Sequence, residues 1–394
     1  MRMLNIDKSN WKKVSLSDVI YKTENNDKLN AKNLFKKFIK AEHLDAESLN
    51  IKNFGDQDND ELPPTFYKIF KSGQILYPTR NPHLRRAALA HFNGICGEKT
   101  LTLSVNEDVG DYRFIAFLFH SNSFYTHTTN CIVGSTNPHV RWRDVASYEL
   151  LLPPKEQQAE LADLLWAMDE VIEKDLSLME KYKAYYFKSI NELTSRRNQY
   201  CNKEYVLSSL GETYNGLNGK TKGDFGEGER YINYLNVYKN FEIDENEYDL
   251  VKISGSEKQN QVRFGDIIFT GSSETPDEVG ITAVVLKDLK NYYLNSFCFG
   301  FRLFDFKKLD PRYAKFLFRN SEIRHFLNLR AQGSTRFNLS KTDLKNKLTL
   351  FLPDIDKQTE IFNHLNDLES NISLLRSKLT SSKTLQKTLI NQIF

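Results

Sequence analysis

The feature of this sequence that most constrains its fold is an internal duplication spanning about half the chain. Short matching segments occur in the same order in both halves of the 394 residues, at an offset that drifts from 191 to 200. The matches pair residues 15–19 with 207–210, 73–76 with 265–268, 134–136 with 333–335, 144–145 with 343–344, 151–154 with 351–353, and Gln158 with Gln358. Ordered matches at a nearly constant offset indicate two copies of one supersecondary arrangement that differ by small loop insertions.

Each copy begins with a part of roughly 150 residues that mixes strand and helix signals. Runs such as 261–269 and 281–286 are rich in β-branched and aromatic residues and are bounded by turn residues, which predicts strands. A helical stretch is predicted over 311–328. We therefore interpret this part as α+β.

Each copy ends in a long helix without glycine or proline in its interior, predicted over 154–197 in the first copy. A proline at the helix start suits the first turn, where its missing N–H has no intrahelical partner. Apolar residues recur at alternating gaps of three and four, at 161, 165, 168, 172, 176, 179, 182, 186, 190 and 193 and again at 361, 365, 368, 372, 375, 379, 389 and 393. Ser382 and Gln386 are polar interruptions of the second stripe. A period near 3.5 predicts a coiled-coil seam; the alternative is two amphipathic helices packed on globular cores.

The two helices are expected to pair with each other, because an intramolecular pair removes both apolar seams from water. Each has a length of about 60–65 Å at 1.5 Å per residue. An antiparallel pair would place one globular domain at each end. The sequence alone leaves the orientation open.

Composition excludes several classes of protein. Hydrophobic residues make up 40% and charged residues 27%, and the net charge of +3 does not by itself indicate nucleic acid. No apolar run approaches the ~20 residues of a membrane span, and the N-terminal sequence lacks the apolar core of a signal peptide, so a cytoplasmic protein is expected. Cys96, Cys131, Cys201 and Cys298 form no CxxC pair, which predicts reduced thiols and no zinc site.

Three fragments resemble catalytic motifs and lack their essential residues. Residues 219–221 read Gly-Lys-Thr, but the first glycine of a phosphate-binding loop would fall on Tyr214. Residues 225–228 read Phe-Gly-Glu-Gly without the preceding hydrophobic strand of a methyltransferase. Pro-Asp at 276–277 is not followed by the acid that a nuclease would place two residues before Lys287. The histidines show no metal-binding spacing. We therefore expect no catalytic site and no cofactor or metal in this chain.

The order of domains and helices resembles the specificity subunits of type I restriction–modification systems. Residues 151–158, Leu-Leu-Pro-Pro-Lys-Glu-Gln-Gln, are similar to the segment that begins the conserved helix in this family, and 352–358 to its weaker second copy. Residues 216–228 and 271–276 resemble segments of its target-recognition domains. The second copy departs from the pattern at 355–357, where a Glu-Gln pair is usual. The resemblance covers nearly the whole chain.

The resemblance implies two α+β target-recognition domains at 1–152 and 199–351, and spacer helices at 153–198 and 352–394 that form an antiparallel intramolecular coiled coil. Each domain would read one half of a split, asymmetric site in double-stranded DNA, and the helices would set the spacing. Partners would be two methyltransferase subunits, which modify adenine N6, and ATP-driven restriction subunits. S-adenosylmethionine, ATP and Mg²⁺ would bind to these partners.

Base reading needs forked side chains at base edges, whereas phosphate contacts need only charge or a donor. Arg85 or Arg86 is the candidate for a guanine contact, and the Gly-Ser-Thr segments suit phosphate binding. The candidate DNA-binding residues of the first domain are Arg80, His83, Arg85, Arg86, Lys99, Ser135, Thr136, Arg141 and Arg143. Those of the second domain are Lys220, Lys222, Ser272, Ser273, Arg330, Gln332, Ser334, Thr335 and Arg336.

The sequence leaves other functions open. A specificity subunit of a type IIB-like enzyme would have the same domains, and only its partners would differ. A coiled-coil adaptor without a DNA role would explain the helices but not the duplicated domains with hydroxyl-rich, basic loops. The broken motifs argue against an intrinsic enzyme.

Overall fold

The computed structural model describes residues 6–394, so the first five residues of the predicted first domain lie outside the described part. The chain divides into two compact units. Unit 1 comprises the residues up to Ser177 together with Ser377–Phe394, and unit 2 comprises Leu178–Arg376. Two helices have 39 residues each, and each of them is divided between the two units.

Unit 1 alternates short strands and short helices. Its strands are β1 (Lys12–Ser15), β2 (Ile20–Lys22), β3 (Lys37–Ile39), β4 (Gly55–Asp56), β5 (Phe66–Phe70), β6 (Ile75–Pro78), β7 (Ala88–Leu89), β8 (Gly94–Gly97), β9 (Thr100–Val105) and β10 (Glu149–Leu152). Its helices are α1 (Leu16–Val19), α2 (Ala31–Leu34), α3 (Tyr112–Leu118), α4 (Asn122–Asn130), α5 (Trp142–Ala146) and the first part of α6 (Lys155–Leu193).

Unit 2 has a similar series of elements. Its strands are β11 (Lys203–Val206), β12 (Gly211–Asn215), β13 (Phe225–Ile232), β14 (Asp249–Val251), β15 (Ile267–Thr270), β16 (Ser272–Ser273), β17 (Thr282–Val284), β18 (Tyr292–Leu294), β19 (Cys298–Leu303), β20 (Ala331–Gln332), β21 (Phe337–Leu339) and β22 (Thr349–Leu352). Its further helices are α7 (Tyr234–Lys239), α8 (Pro311–Leu317), α9 (Ser321–Asn328), α10 (Lys341–Lys347) and the first part of α11 (Ile355–Ile393).

The main sheets of the two units have the same topology. The main sheet has the order β2-β9-β6-β7 in unit 1 and β12-β19-β15-β17 in unit 2. The strand before the first helical turn pairs with the strand before the long helix in both, as β1 with β10 and β11 with β22. A second sheet contains one parallel pair, β3 with β8 and β13 with β18. The duplication seen in the sequence is therefore a duplication of the fold, which is α+β.

Several predicted elements are shorter or divided in the structure, as α6 is, which ends at Leu193 rather than at residue 197. The strand predicted over 261–269 is β15 alone, which begins at Ile267 after Gly265 turns the chain with φ at +88°. The strand predicted over 281–286 is β17. The helix predicted over 311–328 is two helices, because the Asn320 side chain caps α9 by accepting a hydrogen bond from the Ile323 N–H (2.8 Å).

Within each unit, the parts of the two long helices that belong to it pack against each other through the predicted seam, and in unit 1 they run antiparallel. In unit 1 the Gln386 amide donates to the Leu165 carbonyl (3.3 Å), and Lys378 Nζ lies 2.9 Å from Asp175. Residue numbers therefore increase along α6 in the direction in which they decrease along α11. Leu165, Leu389 and Ile393 join the core of unit 1, and other seam residues, including Tyr186 and Leu365, join that of unit 2. The coiled-coil prediction is confirmed.

No helix in the described part of the chain is long and apolar enough to cross a membrane. All four cysteines are free thiols, and Cys96, Cys201 and Cys298 are buried. Burial raises the pKa of the Cys96 thiol to about 12, which keeps it protonated and unreactive.

Candidate nucleic-acid interface

A tight hairpin turn carries the Gly-Ser-Thr sequence in each unit. In unit 1, Val133 and His139 exchange both backbone hydrogen bonds (2.9 and 3.0 Å) and enclose residues 134–138. In unit 2, Gln332 on β20 pairs with Asn338 on β21 and encloses residues 333–337. The two turns have the same length and occupy the same place in the duplicated fold.

The glycine of each turn has a conformation that favours glycine. Gly134 has φ at +85° and Gly333 at +141°, and a Cβ on Gly333 would lie 2.0 Å from the Arg336 carbonyl oxygen. The serine and threonine that follow each glycine are exposed. Each turn therefore presents hydroxyl groups on a surface loop, a donor set that suits a phosphate oxygen.

In unit 1 the ends of two strands of the main sheet lie beside this turn. Arg80, two residues after β6, forms a β-bridge with His139. The Thr79 N–H donates to the Lys99 carbonyl at 2.9 Å, which fixes Lys99 next to the same strand end. Arg80 and Lys99 are both exposed. Backbone pairing thus assembles two predicted cations and the predicted turn from three distant segments.

Unit 2 repeats this assembly with different side chains. Ser272 on β16 pairs with Asn338, as Arg80 pairs with His139 in unit 1. The Gly271 N–H donates to the Phe297 carbonyl at 2.8 Å, so Phe297 holds the position of Lys99. Ser272 is one of the predicted residues, whereas Phe297 was not predicted.

A cleft of about 450 Å³ opens at this place in unit 2. The Arg336 guanidinium lies 4.5 Å from the centre of the Phe297 ring, and Lys341 Nζ donates to the Asn215 side-chain oxygen. The Ser272 hydroxyl is buried, and no hydrogen-bond partner for it is found in the described part of the chain. The cleft combines cations, hydroxyls, amides and an exposed aromatic ring, which is the chemistry of a nucleic-acid surface.

Gln158 connects the start of α6 to the globular part of unit 1. Its Oε1 accepts from the Asp111 N–H (2.8 Å), and its Nε2 donates to the carbonyls of Val109 (3.1 Å) and Pro153 (2.9 Å). The side chain is buried, and its amide satisfies three backbone groups at this joint.

Gln358 makes the same three bonds in unit 2. Its Oε1 accepts from the Asp310 N–H (2.9 Å), and its Nε2 donates to the carbonyls of Lys308 and Pro353 (both 2.8 Å). The repeated Leu-Pro…Gln segment is therefore the joint between each globular part and its long helix.

A search with protein-family models matches the type I restriction modification DNA specificity domain twice, over residues 8–178 and 202–381.

The chain belongs to this family.

Three solved structures share its fold over nearly the whole chain. A chain from a study of complex assembly and conformational transition in a type I R-M system gives a TM-score of 0.62 at 19% identity, over 98% of this chain and 96% of that one. The S subunit from M. genitalium gives 0.57 at 16% identity, over 100% and 98%. The HsdS subunit from Thermoanaerobacter tengcongensis gives 0.50 at 18% identity, over 98% and 97%. No curated protein sequence matches the chain.

In this specificity subunit the guanidinium of Arg85 is bound by side chains of unit 1. Its guanidinium donates to Glu47 (2.7 Å) and to Asn122 (3.0 Å) and stacks 3.9 Å above the Tyr125 ring. The residue lies at the end of a 3₁₀ turn with φ at +50°. His83, on the same turn, is exposed, and Arg86 is half-buried. Of the two candidates for a guanine contact, Arg86 has no such network in the described part of the chain.

The remaining cations of unit 1 lie after the turn. Arg141 precedes α5 and Arg143 is in its first turn, and both guanidinium groups face Asp144, at 3.7 and 3.3 Å. Both side chains are largely exposed. They lie two and four residues beyond His139, on the connection that leaves the hairpin.

In unit 2 several predicted residues have other contacts. Lys220 is nearly buried, pairs with Glu257 (2.5 Å) and holds the pKa of that carboxyl at about 2. Ser273 donates to Glu278 (2.5 Å). Arg330 stacks 3.6 Å above the Phe326 ring beside a separate cavity of about 380 Å³. Lys222 is exposed on a 3₁₀ turn.

Sequence reasoning missed most of the polar and aromatic residues that line the cleft, including Asn215, Phe297, Asn338 and Lys341. Asn338 and its counterpart His139 lie just beyond the matched Gly-Ser-Thr segments. Extending that match by three residues would have found both. Phe297 carries no signal in the sequence, since its place depends on the pairing of β15 with β19. The described residues contain no cluster of His, Cys, Asp or Glu that could hold a metal ion.

Proposed function

We propose that this chain gives a type I restriction–modification complex its DNA sequence specificity, with each α+β domain reading one half of a bipartite, asymmetric site. The observation that carries the proposal is the repeated site. Both units place the same Gly-Ser-Thr turn beside the same two strand ends, and the flanking side chains differ. Shared phosphate contacts with different base contacts are what an asymmetric site requires.

The residues that we propose for DNA contact are those which the fold brings together. They are Arg80, Lys99, Ser135 and Thr136 in unit 1 and Ser272, Phe297, Ser334, Thr335, Arg336, Asn338 and Lys341 in unit 2. His83, Arg86, Arg141, Arg143, Lys222 and Gln332 stay predictions on neighbouring segments. Arg85 and Lys220 are proposed to stabilise the loops that carry the site.

The long helices are proposed to set the DNA spacer and to bind methyltransferase subunits. Leu164, Val171, Leu178 and Tyr185 recur every seven residues on α6 and are each 41–51% exposed, although the seam lies on another face. A regular apolar stripe on a charged helix is the pattern that a partner helix buries. The partners would supply adenine-N6 methylation and ATP-dependent restriction together with S-adenosylmethionine, ATP and Mg²⁺.

Methylation mapping by single-molecule sequencing tests this function. A host that expresses the partner subunits should carry N6-methyladenine at one split motif with a fixed spacer, and deletion of this gene should remove that methylation. Restoring the gene should restore the same motif. Methylation that is identical with and without the gene would contradict the proposed role.

A further inference from the structure

The two hairpins share their first three turn residues and differ immediately afterwards. Gly-Ser-Thr is common to both, whereas Asn137 in unit 1 corresponds to Arg336 in unit 2, and His139 to Asn338. The two halves of an asymmetric DNA site have the same phosphates and different bases. The shared Gly-Ser-Thr residues therefore suit the phosphate role, which leaves the residues after them in each hairpin for base contacts.

The side chains of His139 and Asn338 make the same local hydrogen bond. His139 Nδ1 donates to the carbonyl of Asn137 (3.0 Å), and Asn338 Nδ2 donates to the carbonyl of Arg336 (3.3 Å). Each side chain thus turns one donor back onto the backbone two residues earlier. This bond fixes the side chain against its own turn and determines which atom it presents outward.

The outward atom of both residues is a hydrogen-bond acceptor. A neutral imidazole that carries its proton on Nδ1 has its lone pair on Nε2, and an asparagine that donates through Nδ2 keeps both lone pairs of Oδ1. No partner for His139 Nε2 or Asn338 Oδ1 is found in the described part of the chain. Two different residue types at equivalent positions therefore offer the same hydrogen-bonding group.

The neighbours of these acceptors suit the approach of DNA. Asn338 lines the cleft of unit 2, which also contains Arg336 and Lys341, and His139 forms its β-bridge with the exposed Arg80. Cations beside an acceptor can hold the phosphate backbone while the acceptor reaches a base edge. Without these cations, the negatively charged phosphates would repel the acceptor atom of each hairpin.

We propose that His139 and Asn338 are the specificity-determining residues of the two hairpins, each accepting a hydrogen bond from the exocyclic amino group of an adenine or a cytosine in its own half-site. The shared Gly-Ser-Thr turns bind the phosphates beside that base. In the major groove only adenine N6 and cytosine N4 present such donors. This inference rests on the proposed function of the chain.

The test measures binding of the complex of this chain with its methyltransferase subunits to duplexes of the mapped target. In each duplex one amino group is deleted, by nebularine in place of adenine or 2-pyrimidinone in place of cytosine. One such deletion in each half-site should weaken wild-type binding about tenfold, the value of one hydrogen bond of about 1.4 kcal/mol. His139→Ala should lose this discrimination in one half-site only, and Asn338→Ala in the other only.

The chain supplies its own matched controls. His139→Asn and Asn338→His exchange the residues between the hairpins, keep the acceptor and should retain discrimination. Thr335→Val should weaken binding to every duplex by a similar factor. Alanine variants that discriminate as wild type does would overturn the inference. A wild-type complex that binds all duplexes equally and directs methylation to no motif would instead contradict the proposed function.

Discussion

Gln158 and Gln358 show how one residue type at a fixed place connects two kinds of element. Each side chain is buried and satisfies an N–H and two carbonyls at the joint between the globular part and the long helix. Glutamine suits this place because its amide has both a donor and an acceptor end. A polar residue near the start of a helix looks like surface in the sequence, and its burial is visible only in the fold.

Gln358→Leu should lower the free energy of unfolding by about 2–4 kcal/mol, because it leaves one buried N–H and two carbonyls without partners. Gln158→Leu should have a similar effect. Glu360→Gln, at a position two residues beyond Gln358, removes only the ion pair of an exposed carboxylate with Lys357 and should leave the free energy of unfolding nearly unchanged. Urea denaturation measures all three. Equal stability of Gln358→Leu and Glu360→Gln would show that the joint tolerates the loss.

His120 predicts a pH dependence of stability. Its Nε2 donates to the Ala87 carbonyl (3.1 Å), its Nδ1 is buried without a partner in the described structure, and burial lowers its pKa from 6.5 to about 4. Between these two values the unfolded chain binds a proton that the folded chain does not, so stability falls as the pH is lowered from 6.5 to 4. The total is roughly 3 kcal/mol at 1.36 kcal/mol per pKa unit.

His120→Gln should remove this contribution. Its free energy of unfolding, measured from pH 7 to pH 4, should therefore decline less steeply than that of the wild type. Parallel curves for the two proteins would contradict the assignment.

At the scale of elements, the antiparallel helices combine an apolar seam with a few polar pairs. Asp175 is 8% exposed at its side chain, lies 2.9 Å from Lys378 Nζ, and has its second oxygen buried without a partner in the described part. Such a pair contributes little net stability, since desolvation opposes the attraction, but it favours one register of the helices over a slipped one.

Lys378→Met should destabilise the chain by about 1–2 kcal/mol, because it leaves the Asp175 carboxylate unpaired while Lys378 itself is largely exposed. Asp175→Leu should be neutral or slightly stabilising, because it completes the apolar seam. Thermal denaturation of both variants and of the wild type ranks their stabilities. A larger loss for Asp175→Leu than for Lys378→Met would mean that the pair itself stabilises the helices.

The exposed stripe of α6 predicts an assembly defect. Val171→Lys should weaken binding of the methyltransferase subunit at least tenfold, because the proposed partner helix would have to bury a charge in place of an apolar side chain. Glu180→Lys, an exposed position off the stripe, should not. Calorimetric titration of the purified subunits compares the affinities of the two variants for the methyltransferase subunit. The thermal stability of each variant checks that it is folded. Wild-type affinity for Val171→Lys would place the interface elsewhere.

At the scale of the whole molecule, the chain is two copies of one fold with different side chains at the same site. We expect the predicted domains 1–152 and 199–351 to be exchangeable, since the strand order of the main sheet, the turn and the glutamine joint are common to both. A chain in which residues 1–152 are replaced by a second copy of 199–351 should direct methylation to a motif with two copies of one half-site. Methylation mapping would detect this, and persistence of the original first half would refute it.

The sequence by itself determined the repeat, the α+β character of each copy and the coiled coil. These features follow from local patterns, since a period near 3.5 and ordered matching segments can be recognised without knowledge of any tertiary contact. Residues 134–136 and 333–335 were found in the same way. The lengths of short strands were overestimated, because a single turn such as that at Gly265 ends a strand whose composition continues.

Only the tertiary structure decided which side chains meet. The pairing of β6 with β9 and of β15 with β19 brings Lys99 and Phe297 to equivalent places from segments far along the chain. It also separates cations that look alike in sequence: the guanidinium of Arg85 is held by Glu47, whereas Arg336 opens onto a cleft. Charge and residue type are local properties, but whether a cation is already paired depends on long-range strand pairing, which no local pattern encodes.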